Sequence, residues 1–240
     1  IMRPAVLWPA GAVVLAGMIV LALFWFQPRF LLSRLAAHHP DVLFYVDTDS
    51  LAVALTIDDV PDPDRMPQVL AVLAKHDVRV TFFVLGEKVP GNEGLIAAMK
   101  AQGHELGNHL ARDEASILLT DEDFVAQLRQ VEGMIGPLTE PKWCRPGSGW
   151  FTPGMVKIAA DEGYRFCLGS VYPYDNKIRH PGLIRGAVLD RIYSGAILVL
   201  HGGGSQRGYL PELLDSLLPA LKERGFAFLT LTELAALEGN

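Results

Sequence analysis

Ala52-Val53-Ala54-Leu55-Thr56-Ile57-Asp58-Asp59-Val60-Pro61 is the stretch from which the rest of the chain can be read. Its first six residues are aliphatic or β-branched and carry no charge. A continuous apolar run of this length, rather than an alternating one, predicts a strand buried on both faces, and such strands belong to parallel sheets covered by helices. Two aspartates follow at once. An Asp close to a Pro is common turn chemistry, and that is the plainer reading of Asp58 and Asp59 taken alone. Their position argues for a second one, because parallel sheets carry function at the carboxyl ends of their strands.

Outward from this strand the pattern alternates. Helical periodicity at 66–76 is followed by a β-branched and aromatic strand at 80–85 and a helix at 94–102. A helix is expected at 121–135 with Thr120 as its N-cap, a strand at 142–145, and a helix at 153–162 capped by Thr152 with Pro153 at its first position. Strands follow at 165–169 and 196–200, then a helix at 210–224 stopped by Gly225, a strand at 226–231 and a last helix from about Thr232. Strand–helix alternation without repeats or long linkers predicts one α/β domain with a parallel sheet, either an open doubly wound sheet or a closed βα barrel.

The 240 residues carry a net charge of −6 and the pI is about 5.6. That excludes a nucleic-acid binder, which needs a concentrated basic face. Mean hydropathy is +0.24, raised by an uncharged run at residues 5–26. As a helix this run spans about 33 Å, enough for a bilayer core of roughly 30 Å. Trp8 and Trp25 stand near its ends as an aromatic belt would. No small-residue cleavage site follows it, so an uncleaved anchor is favoured over a signal peptide. The expected organisation is a transmembrane anchor at 1–27, a basic juxtamembrane segment at 28–49 and a catalytic domain at 50–240. Arg29 and Arg34 against Arg3 make the local charge count favour a cytoplasmic body. Cys144 and Cys167 fit no zinc ribbon and read as a pair of buried thiols.

Further clusters could carry chemistry. In Gly103-His104-Glu105-Leu106-Gly107-Asn108-His109 the two histidines are one residue too far apart for a zincin helix, and Gly107-Asn108 would break that helix. His109 and Asp113 lie four apart, and on a helical turn both would reach one face and hold a divalent metal with an acid from elsewhere. As an isolated pair they read more simply as a surface ion pair. Arg145-Pro146-Gly147-Ser148-Gly149 can pin a carboxylate and turn backbone N–H groups toward a ligand. Val171-Tyr172-Pro173-Tyr174-Asp175 is weak by itself. His201 closes the strand at 196–200, a good place for a general acid or base. The glycines after it resemble a lipase oxyanion loop, but no Gly-x-Ser-x-Gly elbow follows.

Together, in order and spacing, these segments resemble the motifs of the polysaccharide deacetylase family (NodB-homology domain, carbohydrate esterase family 4) across residues 50–235. Thr56-Ile57-Asp58-Asp59-Val60-Pro61 is similar to its Thr-Phe-Asp-Asp-Gly-Pro, and the segment ending at His109 leads into its His-Ser/Thr-x-x-His. Arg145-Pro146-Gly147-Ser148-Gly149 stands for its Arg-Pro-Pro-Tyr-Gly, and Leu198-Val199-Leu200-His201 for its Leu-x-x-His. The resemblance implies a distorted (β/α) barrel and a hydrolase removing N-acetyl groups from peptidoglycan-like or chitin-like glycans. It implies Asp58 as general base, Arg145 as its partner and His201 as general acid. Ser148 would supply an oxyanion donor through its backbone. A divalent metal, expected as Zn2+, would be held by Asp59, His109 and Asp113, the last replacing a histidine. The expected partners are the glycan substrate and, through the anchor, the membrane. Acetylated glycans accumulate outside the cell, so the implied catalytic domain is extracytoplasmic, against the charge count.

Three positions depart from the family pattern. Val60 replaces a glycine and is expected to crowd the loop, Ser148 replaces a tyrosine, and Tyr172 stands where an acid supports the histidine. Asp175 could take over that support if the loop shifts. A non-catalytic glycan-binding module and an O-deacetylase are the alternative readings.

Overall fold

The computed structural model describes residues 11, 12, 14, 15, 17, 18, 27–204 and 208–239. The strands are β1 Val42–Leu43, β2 Ala52–Val60, β3 Thr81–Val84, β4 Glu105–Asn108, β5 Lys142–Cys144, β6 Tyr164–Cys167, β7 Ile197–His201 and β8 Ala227–Leu229. The helices are α1 Arg29–His38, α2 Met66–Lys75, α3 Glu93–Ala101, α4 Asp121–Ile135, α5 Pro153–Asp161, α6 Pro181–Arg191, α7 Leu210–Glu223 and α8 Leu231–Ala235. All paired strands run parallel in the order β1-β6-β5-β4-β3-β2-β7, and β8 adds to β2. The sheet curls until its two edges meet. Val171, just past β6, bridges to Leu198 in β7, and Tyr45, just past β1, bridges to Ala196.

Every residue of β2 is buried, as expected of a strand paired on both sides. Its pleat sorts them. Val53, Leu55 and Ile57 pack outward against α2 and α7, whose Leu210, Leu213, Leu214, Leu217, Leu218 and Leu221 form one apolar stripe. Ala52 and Ala54 face inward, where their small side chains leave room for Trp143 and Phe83. Helix α8 closes the lower end with Leu231 and Leu234. It is tied there by the buried Glu105 carboxylate, which accepts from the Thr81 hydroxyl at 2.6 Å, the Thr232 N–H at 3.2 Å and the Thr232 hydroxyl. The inward series 52, 54, 56 and 58 therefore climbs from alanines at the base to a polar top.

The helix caps expected from sequence are present: Thr120 accepts from the Asp123 N–H and Thr152 from the Met155 N–H. Both cysteines are buried and free. The segment 28–49 is packed with the domain, supplying α1, β1 and the buried Val42, Leu43, Phe44 and Val46. Among the described residues no helix is long and apolar enough to cross a membrane. The span expected at 5–26 lies outside them, apart from residues 11, 12, 14, 15, 17 and 18, which are helical.

Candidate active site

The upper end of the sheet begins with an irregularity in β2. Ile57 pairs with Phe82 and Val60 with Val84, so three steps on β2 answer two on β3. This is a β-bulge, and Asp59 carries its backbone reversal at φ 61°. Strict alternation would send Asp58 and Asp59 to opposite faces. The bulge brings both carboxylates to His109, whose Nε2 lies 3.9 Å from Asp58 Oδ2 and 3.4 Å from Asp59 Oδ1. The crowding expected of Val60 does not arise. Its side chain is buried in the core, because the positive φ falls on Asp59 instead. Space comes from Gly202, where a Cβ would stand 2.8 Å from Val60 Cγ1.

Asp58 is 3% exposed and meets the equally buried Arg145, with Nη1 2.6 Å from Oδ1. The same Nη1 donates to the Thr56 hydroxyl at 2.7 Å, and Nε donates to the Cys167 carbonyl at 3.2 Å. The Phe83 ring lies 4.1 Å from the guanidinium carbon. Burial alone would push the Arg145 pKa down, but the Asp58 charge outweighs it and holds the group above its ordinary value. A buried charge satisfied on this many sides is fixed in orientation.

His109 follows β4, which sequence reading missed. Its Glu-Leu-Gly-Asn has no apolar run, and Gly107 is there because the Phe83 ring lies 2.7 Å from where a Cβ would be. His109 Nδ1 is 2.7 Å from the Arg145 carbonyl, which can only accept, so Nδ1 carries a hydrogen and Nε2 is the nitrogen that faces the aspartates. Burial lowers the His109 pKa, and the Asp58 and Asp59 carboxylates more than reverse this, leaving it raised. Two further residues set this turn. Asn108 Oδ1 accepts from the Leu110 N–H at 2.9 Å, and Gln127 Oε1 accepts from the Ala111 N–H at 3.0 Å. Neither stood out in the sequence, since a polar residue at a strand end or on a helix has many ordinary uses.

Asp113 is not brought to this pair. The expected helical turn is absent: Leu110 takes φ 67° and residues 109–115 run as an irregular loop. Asp113 is exposed, its N–H 3.4 Å from Glu87 Oε1. Among the described residues no three His, Cys, Asp or Glu side chains stand together as a metal site. The fit to a divalent cation is therefore that of two donors. Asp59 is a hard oxygen ligand and His109 an imidazole whose other nitrogen is already fixed by a carbonyl, the usual support of a ligating histidine.

Across β2, Asp58 is in register with His201 of β7. Asp175 accepts from His201 Nδ1 at 2.8 Å with one oxygen and from the His201 N–H at 2.8 Å with the other. It is 1% exposed, and its own carbonyl accepts from the Tyr209 hydroxyl. Burial lowers the His201 pKa, but the Asp175 hydrogen bond and charge, with Asp58 and Asp59 behind them, raise it overall. Asp175 thus supports the histidine, and Tyr172 lies beside Arg145, its phenol pushed up by burial.

Ser148 sits exposed at φ 61° in the turn Gly147–Gly149, whose first residue is buried. Gly147 is required beneath it, since a Cβ there would be 2.1 Å from the Glu114 carbonyl, and its N–H is held by the Ser116 hydroxyl at 2.7 Å. Of the aromatics near the motifs, Phe151 packs on Phe166 in the core, whereas Trp150 is 67% exposed.

A parallel α/β domain whose strand ends gather an Asp–Arg pair, an Asp–His pair and a His–Asp pair is built as a hydrolase. Residues 45–167 match the polysaccharide deacetylase family, and the chain belongs to that family of enzymes. It is 32% identical over 196 residues to a peptidoglycan-N-acetylglucosamine deacetylase of Bacillus cereus, covering 80% of this chain and 92% of that one. Among solved structures it is similar to a family 4 acetyl xylan esterase from Clostridium thermocellum in complex with a cobalt ion. That match has 30% identity and a TM-score of 0.70, covering 78% of this chain and 91% of that one. It is also similar to a CE4 family pseudoenzyme from Bacillus anthracis, at 30% identity and a TM-score of 0.74, covering 82% of this chain and 69% of that one.

Proposed function

We propose that this chain is a metal-dependent N-deacetylase of amino-sugar glycans of the peptidoglycan or chitin type, carried on the outer face of a membrane by the apolar run at 5–26. The observation that carries the chemistry is the facing of two preset groups across adjacent strands: Asp58 held by Arg145, and His201 held by Asp175. The glycan comes from the relative of Bacillus cereus, and the placement outside from where such glycans are found.

Asp59 and His109 would hold the cation, whose contribution when bound is to polarise the acetyl carbonyl and acidify water. Asp58, oriented by Arg145 and unable to swing away, takes a proton from the attacking water as its oxygen bonds to the acetyl carbon. The Ser148 N–H donates to the oxygen on which charge develops. His201 keeps its Nδ1–H on Asp175, so Nε2 is the atom that gives a proton to the departing amine as the carbon–nitrogen bond breaks. Its raised pKa suits an acid that must be charged at neutral pH.

The test uses the full chain in detergent, stripped of metal and reloaded with zinc, with acetate release measured from N-acetylglucosamine oligomers and from peptidoglycan. Zinc-dependent release that disappears in Asp59→Ala is the expected result. The separation of Asp113 from the metal pair favours a second reading, a non-catalytic glycan-binding module, and absence of zinc binding by the unaltered chain would establish it in place of the first. Release from acetyl esters but not from amides, surviving in His201→Ala, would mark an O-deacetylase.

A further inference from the structure

Gln27 is the residue where the described body of the chain begins after the apolar run, and its side chain does not lie in solvent. Its Nε2 donates to the Tyr172 carbonyl at 2.7 Å and its Oε1 accepts from the Tyr172 N–H at 2.9 Å. One side-chain amide thus satisfies both backbone groups of a residue 145 positions away, as a neighbouring strand would. The Gln27 backbone stands at φ 46°, uncommon for a residue with a side chain, so tertiary contacts and not local preference hold it. Two residues on, the Arg29 guanidinium lies 5.3 Å from the Tyr45 ring and 5.0 Å from the Tyr193 ring and pairs with Asp47 at 3.0 Å. The entry of the chain is therefore fixed on both sides of Pro28.

What the clasp grips is the base of the catalytic loop. Val171 is bridged to β7, and the chain then leaves the sheet through Tyr172, Pro173 and Tyr174 to reach Asp175. Tyr174 is again at positive φ, 56°. Two side chains meet the Tyr172 carbonyl, Gln27 and Arg191, the latter at 3.0 Å, but Gln27 alone also takes its N–H. Three residues later Asp175 makes both of its bonds to His201. A small displacement of Tyr172 is passed along the three residues that lead out of the sheet to the carboxylate that orients the histidine.

We propose that Gln27 is a positioning residue, through which the segment joining the apolar run to the domain sets the geometry of Asp175 and His201. The inference rests on His201 being the acid of the proposed deacetylation. It makes the membrane-proximal segment part of the catalytic apparatus and not a tether alone, and a domain cut free of residue 27 would lose this support.

The experiment compares the full chain in detergent with Gln27→Ala and Gln27→Glu. Hydrogen exchange at residues 172–175 is read against residues 196–200, the His201 imidazole is titrated by NMR, and kcat and KM are measured separately. In Gln27→Ala, exchange at Tyr172 is expected to rise about tenfold while 196–200 stay protected. The His201 titration is expected to move down, and kcat to fall about tenfold with KM within about twofold, as for a misplaced catalytic group. Gln27→Glu keeps the acceptor for the Tyr172 N–H and loses the donor to its carbonyl, so its exchange and kcat should lie between the other two. Unchanged exchange, faster exchange with unchanged His201 titration, or loosening that reaches 196–200 equally would each overturn the proposal. If the unaltered chain releases no acetate, the deacetylase reading fails, and the exchange and His201 arms still decide whether Gln27 positions the loop.

Discussion

At the scale of single residues, the metal pair makes the sharpest claim. Asp59 and His109 face each other, while Asp113 is exposed on a loop whose N–H groups are held by the Asn108, Gln127 and Glu87 side chains. Asp59→Ala and His109→Ala should each abolish zinc binding, and Asp113→Ala should leave the affinity within about threefold, since a ligand lost from the coordination shell typically costs far more. Calorimetric titration with zinc separates the cases, and a loss of affinity in Asp113→Ala comparable to the other two would show that the loop closes on the cation. Trp150 makes a second claim. It stands on the chain two residues from Ser148 and is two-thirds exposed, a sugar-stacking position. Trp150→Ala should raise KM for oligomers several-fold and leave kcat for a monomeric substrate unchanged; equal effects on both substrates would assign Trp150 to folding. The residues that the structure gathers at the strand ends were legible in the sequence because their types and spacing are distinctive. The helical turn expected to set Asp113 beside His109 is absent for one local reason. Spacing predicts a shared face only if the segment is helical, and the left-handed turn at Leu110 breaks that premise.

At the scale of elements, the strands and helices with a clear apolar period were found at nearly their observed limits, with both threonine caps. Those missed lacked that contrast. Helix α6, Pro-Gly-Leu-Ile-Arg-Gly-Ala-Val-Leu-Asp-Arg, spreads two glycines and three charges among its apolar residues. Helix α1 buries none of its residues. Nothing in the sequence announces the bulge in β2, although it is what brings two adjacent aspartates to one site. Its neighbour gives a testable coupling. A Cβ at Gly202 would meet Val60 Cγ1 at 2.8 Å and Ile57 Cγ2 at 3.0 Å. Gly202→Ala should therefore cost about 1–3 kcal/mol, the usual range for overpacking a filled site. Val60→Ala in the same chain should recover most of it, and urea denaturation of the two single variants and the double one measures the coupling. Additive losses would mean that Val60 and residue 202 do not compete for this space.

At the scale of the whole molecule, acid sensitivity has an identifiable source away from the active site. His104 is buried with Nδ1 accepting from the Val80 N–H at 3.2 Å and its ring edge-on to Phe82. Burial, helped by the Arg79 charge, lowers its pKa from 6.5 to about 4. Between those values the unfolded chain binds a proton that the folded chain refuses, so this contribution is complete above pH 6.5 and is lost as pH falls toward 4. The loss is on the order of 2 kcal/mol. His104→Gln keeps an acceptor for Val80 without the titration, so the gap between urea midpoints at pH 7 and pH 5 should narrow. An unchanged gap would place the sensitivity in other groups. The α/β class followed from the alternating pattern, whereas the curl of the sheet did not, because it depends on two bridges between residues far apart in the chain.

Those bridges have a consequence for life in a crowd. The edge strand β1 is only two residues long, and the N–H groups of Ser170 and Val171 bond to Ile197 while that of Val199 bonds to Val171, so the backbone of β7 is occupied by its own chain. An open strand edge recruits the strands of other molecules. Copies of this protein packed side by side would find no such template along β7 while folded. Clumping through that edge under heat stress therefore has to wait for unfolding, and its onset should follow the melting of the domain instead of preceding it.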